Sequence, residues 1–167
     1  MWQRMLQGGS GGGSDYTFNI NFPVLPIVET QIVADPNNLN TNNPPKNVFD
    51  GNSSTAWYVK TNSTSASNIY VGYDFIDRIK FKSAYIKQLT SSNNESIIYR
   101  FEGSNNNNDW LPLTLDITQT TAEGENFFTQ NVDKYRYYRL FIVSQTFSSK
   151  MYAGRISELS FTGEFMQ

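Results

Sequence analysis

From Tyr16 onward the apolar positions recur every second residue in short runs, separated by clusters of Asn, Ser, Gly and Pro. In YVGYDF and YRLFIV the alternation is plain, and it is the pattern of a half-buried strand whose successive side chains face opposite ways. The runs predict strands over YTFNINF (16–22), IVETQIVA (27–34), IYVGYDF (69–75), IKFKSAYIKQL (79–89) and SIIYRFEG (96–103). Further strands are predicted over WLPLTLDI (110–117), NFFTQNV (126–132), YYRLFIVSQ (137–145) and RISELSFTGEF (155–165). PNNLNTNNPPKN and GSNNNND consist of residues that bond their own backbone or break a ladder, so they read as loops. After residue 15 no segment carries a 3.6-residue apolar period. Many short strands at close spacing predict an all-β sandwich or jelly roll.

The first fifteen residues follow a different rule, so the chain divides into a leader, 1–15, and a β-sandwich domain, 16–167. GGSGGGS (8–14) is a flexible linker, with a root-mean-square span of roughly 15 Å. In MWQRMLQ before it, Trp2, Met5 and Leu6 fall on one helical face, although a segment this short cannot hold a helix alone. Two readings stand: a cloning remnant, or an anchoring peptide whose Trp2, Met5 and Leu6 are buried in a partner's groove.

Composition narrows the chemistry. Asp and Glu number 15 against 13 Lys and Arg, a net charge of -2, so no basic face for nucleic acid is expected. There is no cysteine and no histidine. That excludes disulfides, thiolate zinc sites, Cys nucleophiles and the commonest general base. A catalytic Ser would lack its base, and Glu123 and Glu125 sit in TTAEGEN, which reads as a solvated polar turn. A non-catalytic protein is expected. No apolar run approaches the roughly 18 to 20 residues of a membrane helix. A Gly/Ser run stands where a secretory signal has its apolar core, so export by such a signal is not expected.

The stretch FDGNSSTAWY (49–58) carries more oxygen than a turn requires. Asp-Gly followed by Asn and Ser signals a turn, and the surplus hydroxyls and amide suggest a loop that wraps around something before Trp57 enters the core. The bland alternative keeps Asp50 as a turn cap and Glu158 as a solvated strand residue.

Four segments in chain order, NVFDGNSSTAW (47–57), IYVGYDF (69–75), YRFEGSNNNNDW (99–110) and YYRLFIVSQ with RISELSF (137–161), resemble the discoidin family. That family comprises the coagulation factor V/VIII C-type domains and the family-32 carbohydrate-binding modules. The first segment is similar to its A-F-D-G-N-x-x-T-x-W signature, the third to its G-S-N-D-G-x-x-W hairpin and the last to its closing I-x-E-L/I strand. The resemblance implies an eight-stranded jelly-roll β-sandwich of the galactose-binding-domain kind. It also implies a structural calcium ion held by the Asn47, Asn52 and Ser157 carbonyls, Asp50 and Glu158 carboxylate oxygens, and the carbonyl and hydroxyl of Thr55. An all-oxygen set with two charged members suits a hard cation.

In the sugar-binding relatives, loops at one end of the sandwich hold the ligand. The matching positions are Tyr58 and Lys60, then Gln88, Asn93 and Asn94, then Phe147 and Tyr152. An aromatic face stacks on a pyranose while amides and cations bond its hydroxyls. The relatives' His is missing, so Lys60 or Gln88 would have to replace it, a departure that counts against galactose specificity and leaves loss of sugar binding as an alternative. Phe147 and Met151 stand where clotting relatives carry membrane spikes, but the net charge of -2 argues against an anionic surface.

Taken together, the expected protein is a binding module on a virion surface: a bacteriophage head or tail decoration, acting as an adhesin for cell-surface or mucosal glycans. Residues 1–14 would dock on a capsid or tail protein, weak glycan sites would act multivalently, and a homo-oligomer is compatible with that multiplicity. Two alternatives remain: a module of a secreted or cell-surface bacterial glycosidase, and a purely structural virion decoration.

Overall fold

The alternating runs at 69–75 and 79–89 turn out to be one strand. In the computed structural model, which describes residues 17–22, 27–36, 40–60, 65–88, 96–119, 123–128, 133–146 and 152–166, strand β5 runs 20 residues from Ile69 to Gln88. Its first half pairs with Tyr137–Ile142 and its second with Ile156–Glu164, so one strand contributes to both sheets of a sandwich.

The other strands are β1 (Thr17–Phe22), β2 (Ile32–Ala34), β3 (Trp57–Lys60), β4 (Ser65–Ala66), β6 (Ser96–Ser104), β7 (Leu111–Pro112), β8 (Ile117–Gln119), β9 (Glu123–Phe127), β10 (Tyr135–Thr146) and β11 (Tyr152–Met166). All pairings are antiparallel. The first sheet places β10 between β5 and β6, with β2 beyond β5, β4 on β10, and β7 and β8 on the far side of β6. In the second sheet β11 pairs with β1 and β3 along its length and with β5, and β9 closes the outer side of β5.

The change of sheet is made at Ile76, whose φ is 67°, a conformation that β-branched residues resist. Asp74 holds it: Oδ1 accepts the Ile76 amide at 2.8 Å, and Arg136 Nε and Nη2 each donate to the carboxylate at 2.7 Å.

Between the sheets lies an aromatic core. Trp57, Tyr99, Tyr138, Phe49, Phe81, Phe101 and Phe161 are fully buried, each contributing about 1.5–3 kcal/mol by burial. Phe81 meets Tyr138 edge-on at 4.9 Å, and Phe128 stacks on Tyr138 at 6.1 Å. The two fully buried phenols are bonded. Tyr138 Oη donates to the Ile79 carbonyl at 2.6 Å, and Tyr99 Oη donates to Gln119 Oε1 at 2.6 Å while accepting Asn126 Nδ2 at 2.9 Å. Burial pushes the Tyr99 phenol up to about 12. Where β5 and β10 press together, a Cβ on Gly72 would collide with the Tyr138 carbonyl, so only glycine fits.

Several strand expectations need correction. Eleven strand segments appear among the described residues, not eight, because short edge pieces decorate the long strands. IVETQIVA is a strand only at Ile32–Ala34, since Glu29–Gln31 coil into a 3-10 turn. WLPLTLDI is broken into β7 and β8, because Leu113 and Thr114 turn inward and are buried. TTAEGEN is not a polar turn: Glu123 and Glu125 lie in β9, paired with Lys87 and Tyr85. An edge strand of a sheet tolerates that polarity.

Candidate functional site

The loop that follows Phe49 is built by its own side chains. Pro45–Phe49 form a 3-10 turn that buries Val48 and Phe49, and Gly51 then takes φ 70°, which glycine adopts without strain. Asp50 Oδ1 accepts the Asn52 amide at 2.8 Å, and Oδ2 accepts the Thr55 hydroxyl at 2.7 Å. The same hydroxyl lies 2.8 Å from the Asn52 carbonyl. Asn47 Nδ2 donates to the Ala56 carbonyl at 3.0 Å, tying the start of the loop to its end. Trp57 then enters the core and is 1% exposed, as expected for a structural rather than a ligand-facing ring.

Strand β11 brings the second carboxylate. Its register to β5 shifts between Ile156 and Glu158, so Ser157 occupies a bulge, fully buried, its hydroxyl donating to the Lys87 carbonyl at 3.3 Å. Bulges re-aim side chains. Glu158 lies opposite Lys87, and its carboxyl is pushed above the usual range by burial first and by the charge of Asp50 second, which Lys87 offsets only in part. Of the six expected metal residues, Asp50 is joined to Asn52 and Thr55 by hydrogen bonds and Glu158 feels the charge of Asp50, while Ser157 bonds Lys87 and Asn47 bonds Ala56. Among the described residues no cluster contains three or more acidic, His or Cys side chains, so two carboxylates and neutral oxygens are what the site offers.

The expected ligand end is assembled by Tyr152–Ile156. Tyr152 pairs with Lys60 and Gly154 with Tyr58 across β3, while Ile156 pairs with Gln88 at the end of β5. Residues from three separate stretches of sequence thus meet within five positions of β11. Tyr58 is half-buried. Gln88 is not in a loop: it closes β5, is 8% exposed, and its Nε2 is buried with no hydrogen-bond partner. Gln145 of β10, also buried, accepts the Gly154 amide at 2.8 Å. The backbones of Lys60 and Tyr152 are placed by these ladders, and their side chains lie outside the described set. Asn93, Asn94, Phe147 and Met151 lie outside the described residues, as do Trp2, Met5 and Leu6 of the leader.

One basic residue at this end was not anticipated. Gly154 and Arg155 take φ 83° and 53° in succession, and the β11–β3 register slips there. The glycine fits because its position faces the Trp57 ring, 3.3 Å from where a Cβ would stand. The double left-handed step puts half-buried Arg155 beside the Tyr58 and Gln88 pairings. A Gly-Arg pair inside an alternating run is the signal that could have found it.

No protein-family model matches the chain, and no curated protein matches it in sequence. Solved structures do resemble it. The CBM32 of AlyQ, in complex with 4,5-unsaturated mannuronic acid, superposes with a TM-score of 0.63 over 85% of this chain and 97% of its own, at 16% identity. The family 32 CBM from C. perfringens NanJ, in complex with galactose, gives 0.61 over 87% and 99%, at 18% identity. The F5/8 type C domain of a Bacteroides fragilis protein gives 0.59 over 83% and 95%, at 9% identity. This chain therefore has the β-sandwich fold shared by family-32 carbohydrate-binding modules and F5/8 type C, discoidin-like domains.

Proposed function

We propose that the chain is a non-catalytic carbohydrate-binding module whose ligand end is formed by Tyr58, Lys60, Gln88, Tyr152 and Arg155, with Asn93, Asn94 and Phe147 from adjoining loops. The observation that carries this reading is the convergence of these stretches along Tyr152–Ile156. It brings the backbones of two tyrosines, a lysine, a glutamine and an arginine to one end of the sheet, residue types that can recognise a sugar's apolar face and its hydroxyls. The ligands in the AlyQ and NanJ module structures, an unsaturated uronic acid and a hexose, support a saccharide as the class. Arg155 favours an acidic sugar, because a guanidinium forks onto a carboxylate. The absence of His and Cys from the sequence supports the non-catalytic reading.

Asn47, Asp50, Asn52, Thr55, Ser157 and Glu158 would hold a calcium ion, whose charge would relieve the facing of Asp50 and Glu158. The chemistry fits: the donors are oxygens, two carry charge, and one of those has its ionised form disfavoured by burial and by the other. The chain's own residues do the rest. The loop's bonds from Asp50 to Asn52 and Thr55 fix the entry to β3, and β3 in turn positions Tyr58 against Gly154.

For context we propose display on a virion, with the apolar leader docking on a capsid or tail protein and the domain facing outward. A module of a bacterial glycosidase is supported equally well by the fold. The test is a glycan array probed with multivalent protein, with and without calcium. Saturable binding to acidic or galactose-type glycans, lost in Arg155→Ala and Tyr152→Ala at unchanged melting temperature, is expected. An array without hits would favour a structural decoration.

A further inference from the structure

Toward the Tyr152–Ile156 end the sandwich interior changes character. Along β10 the side chains of Tyr138, Leu140 and Ile142 are buried at alternate positions, and strict alternation would turn Ser144 inward after them. The register of β10 to β6 shifts between Ile142 and Ser144 instead. A bulge moves the parity of a strand by one residue, so the side chain buried after Ile142 is that of Gln145, 4% exposed. An amide side chain in such a place is unfavourable unless it is bonded. Gln145 Oε1 accepts the Gly154 amide at 2.8 Å, a buried bond between residues nine positions apart in sequence. It joins the two sheets, since Gln145 is paired with Ile97 and Ala66 in the first and Gly154 with Tyr58 in the second.

What this bond holds is the least regular step of β11. Gly154 and Arg155 take φ 83° and 53° in succession, and the register to β3 slips between Gly154 and Ile156. Arginine resists the left-handed region, so contacts outside its own ladder have to keep it there. A bulge also takes backbone groups out of their pairing, and a buried amide still needs an acceptor. Gln145 Oε1 meets both needs at once. Trp57 backs the same step from another side, its ring 3.3 Å from where a Cβ on Gly154 would stand. Bonded at its amide and packed against a ring, Gly154 is the fixed point from which Arg155 leaves the strand.

We propose that Gln145 is a positioning residue of the ligand end: through the Gly154 amide it sets the left-handed step that presents Arg155, and with it the preference for an acidic sugar. This inference rests on the reading of that end as a saccharide site in which Arg155 meets a carboxylate. Gln145 itself touches no ligand and acts through Gly154 and Arg155. A shift of about 1 Å in a guanidinium is enough to break a forked bond to a carboxylate. Stacking on an aromatic ring and bonds to neutral hydroxyls do not pass through Arg155 and are spared.

The test is calorimetric titration of the full chain with a mannuronic acid trisaccharide and with galactose, alongside amide hydrogen exchange. Gln145→Met keeps the length of the side chain and removes its acceptor. It should weaken trisaccharide binding about tenfold, the contribution of one charge-assisted hydrogen bond, and change galactose binding by less than about threefold. In an Arg155→Ala background the same substitution should weaken trisaccharide binding no further, because the side chain it acts through is gone. The Gly154 amide should exchange slowly in the parent, a measurement that holds whether or not the variant folds, and fast in Gln145→Met. Equal losses for the two sugars, losses that add to those of Arg155→Ala, or an unprotected Gly154 amide in the parent would overturn the proposal. Undiminished trisaccharide binding by Gln145→Met would overturn it alone and leave the saccharide reading standing. A parent that binds neither sugar would sink that reading, and the proposal with it.

Discussion

Two loops of this molecule are written in nearly the same alphabet and do opposite things. One is Asp50–Thr55, DGNSST; the other is Ser104–Asp109, SNNNND. In the second, most side-chain bonds close within the loop, and Asn105 Oδ1 reaches out to accept the Arg136 amide at 3.1 Å. Ser104 Oγ accepts the Asn106 and Asn107 amides at 3.2 and 3.0 Å, and Asn106 Oδ1 accepts those of Asn108 and Asp109 at 3.0 and 2.8 Å. The one carboxylate, Asp109, takes Asn106 Nδ2 at 2.7 Å and Asn108 Nδ2 at 3.2 Å. That loop is a finished scaffold, and it leads into Trp110. In the first loop Asp50 is bonded as fully, but a second carboxylate, Glu158, arrives from β11, and its ionised form is disfavoured by burial and by Asp50. The difference lies in what the fold brings to a loop, rather than in the loop's own residues. In the first loop two carboxylates act on each other across the fold; in the second the lone carboxylate meets only neutral amides.

The largest expected effect separates the two loops by calcium. At calcium a hundredfold above its dissociation constant the parent should gain about 2.7 kcal/mol of stability. Asp50→Ala should lose that gain and about 1–3 kcal/mol more for the bonds to Asn52 and Thr55; thermal melts in calcium and in chelator check both. Asn106→Ala comes next, at about 1–2 kcal/mol, since it breaks a neutral network, and its loss should be the same in calcium and in chelator. An effect of calcium on Asn106→Ala as large as on Asp50→Ala would erase the distinction between the loops.

A subtler effect concerns pH. The Glu158 carboxyl is raised on folding, so the folded state holds its proton more tightly than the unfolded one. Its contribution is therefore present at low pH and is lost as pH rises from the ordinary value of 4.5 through the raised folded value. In chelator, Glu158→Gln should flatten that decline, and calcium should abolish it in the parent. Asp74 has the opposite slope: burial raises its carboxyl, but the bonds from Arg136 and the Ile76 amide bring it below the ordinary value. Its contribution is lost as pH falls through the lowered folded value. The smallest effect is expected at Asp109→Asn, within about 0.5 kcal/mol at an exposed loop position.

The strands were legible wherever alternation faced a core, as in YVGYDF and YRLFIV, and Trp57 was legible as a core residue. What stayed hidden depends on tertiary placement. Nothing in IYVGYDFIDRIKF announces that Ile76 will accept a positive φ and let one strand serve two sheets, because the Asp74–Arg136 pair that supports it lies 62 positions apart in sequence. The polar run EGENF became a strand only because β5 offered it an edge. At the candidate ligand end the sequence named Tyr58, Lys60, Gln88 and Tyr152. It missed Arg155, whose exit from the strand is set by a bulge that no periodicity records, and it read Gln88 as exposed where the fold buries it.

The most direct measurement is nitrogen-15 chemical-shift mapping of the domain titrated with an acidic oligosaccharide and with galactose, in saturating calcium. The account predicts saturable shifts at the amides of Tyr58, Gln88, Tyr152, Gly154 and Arg155, while those of Ser104–Trp110 stay still. Shifts confined to the Ser104–Trp110 loop, or none with any glycan offered, would contradict it.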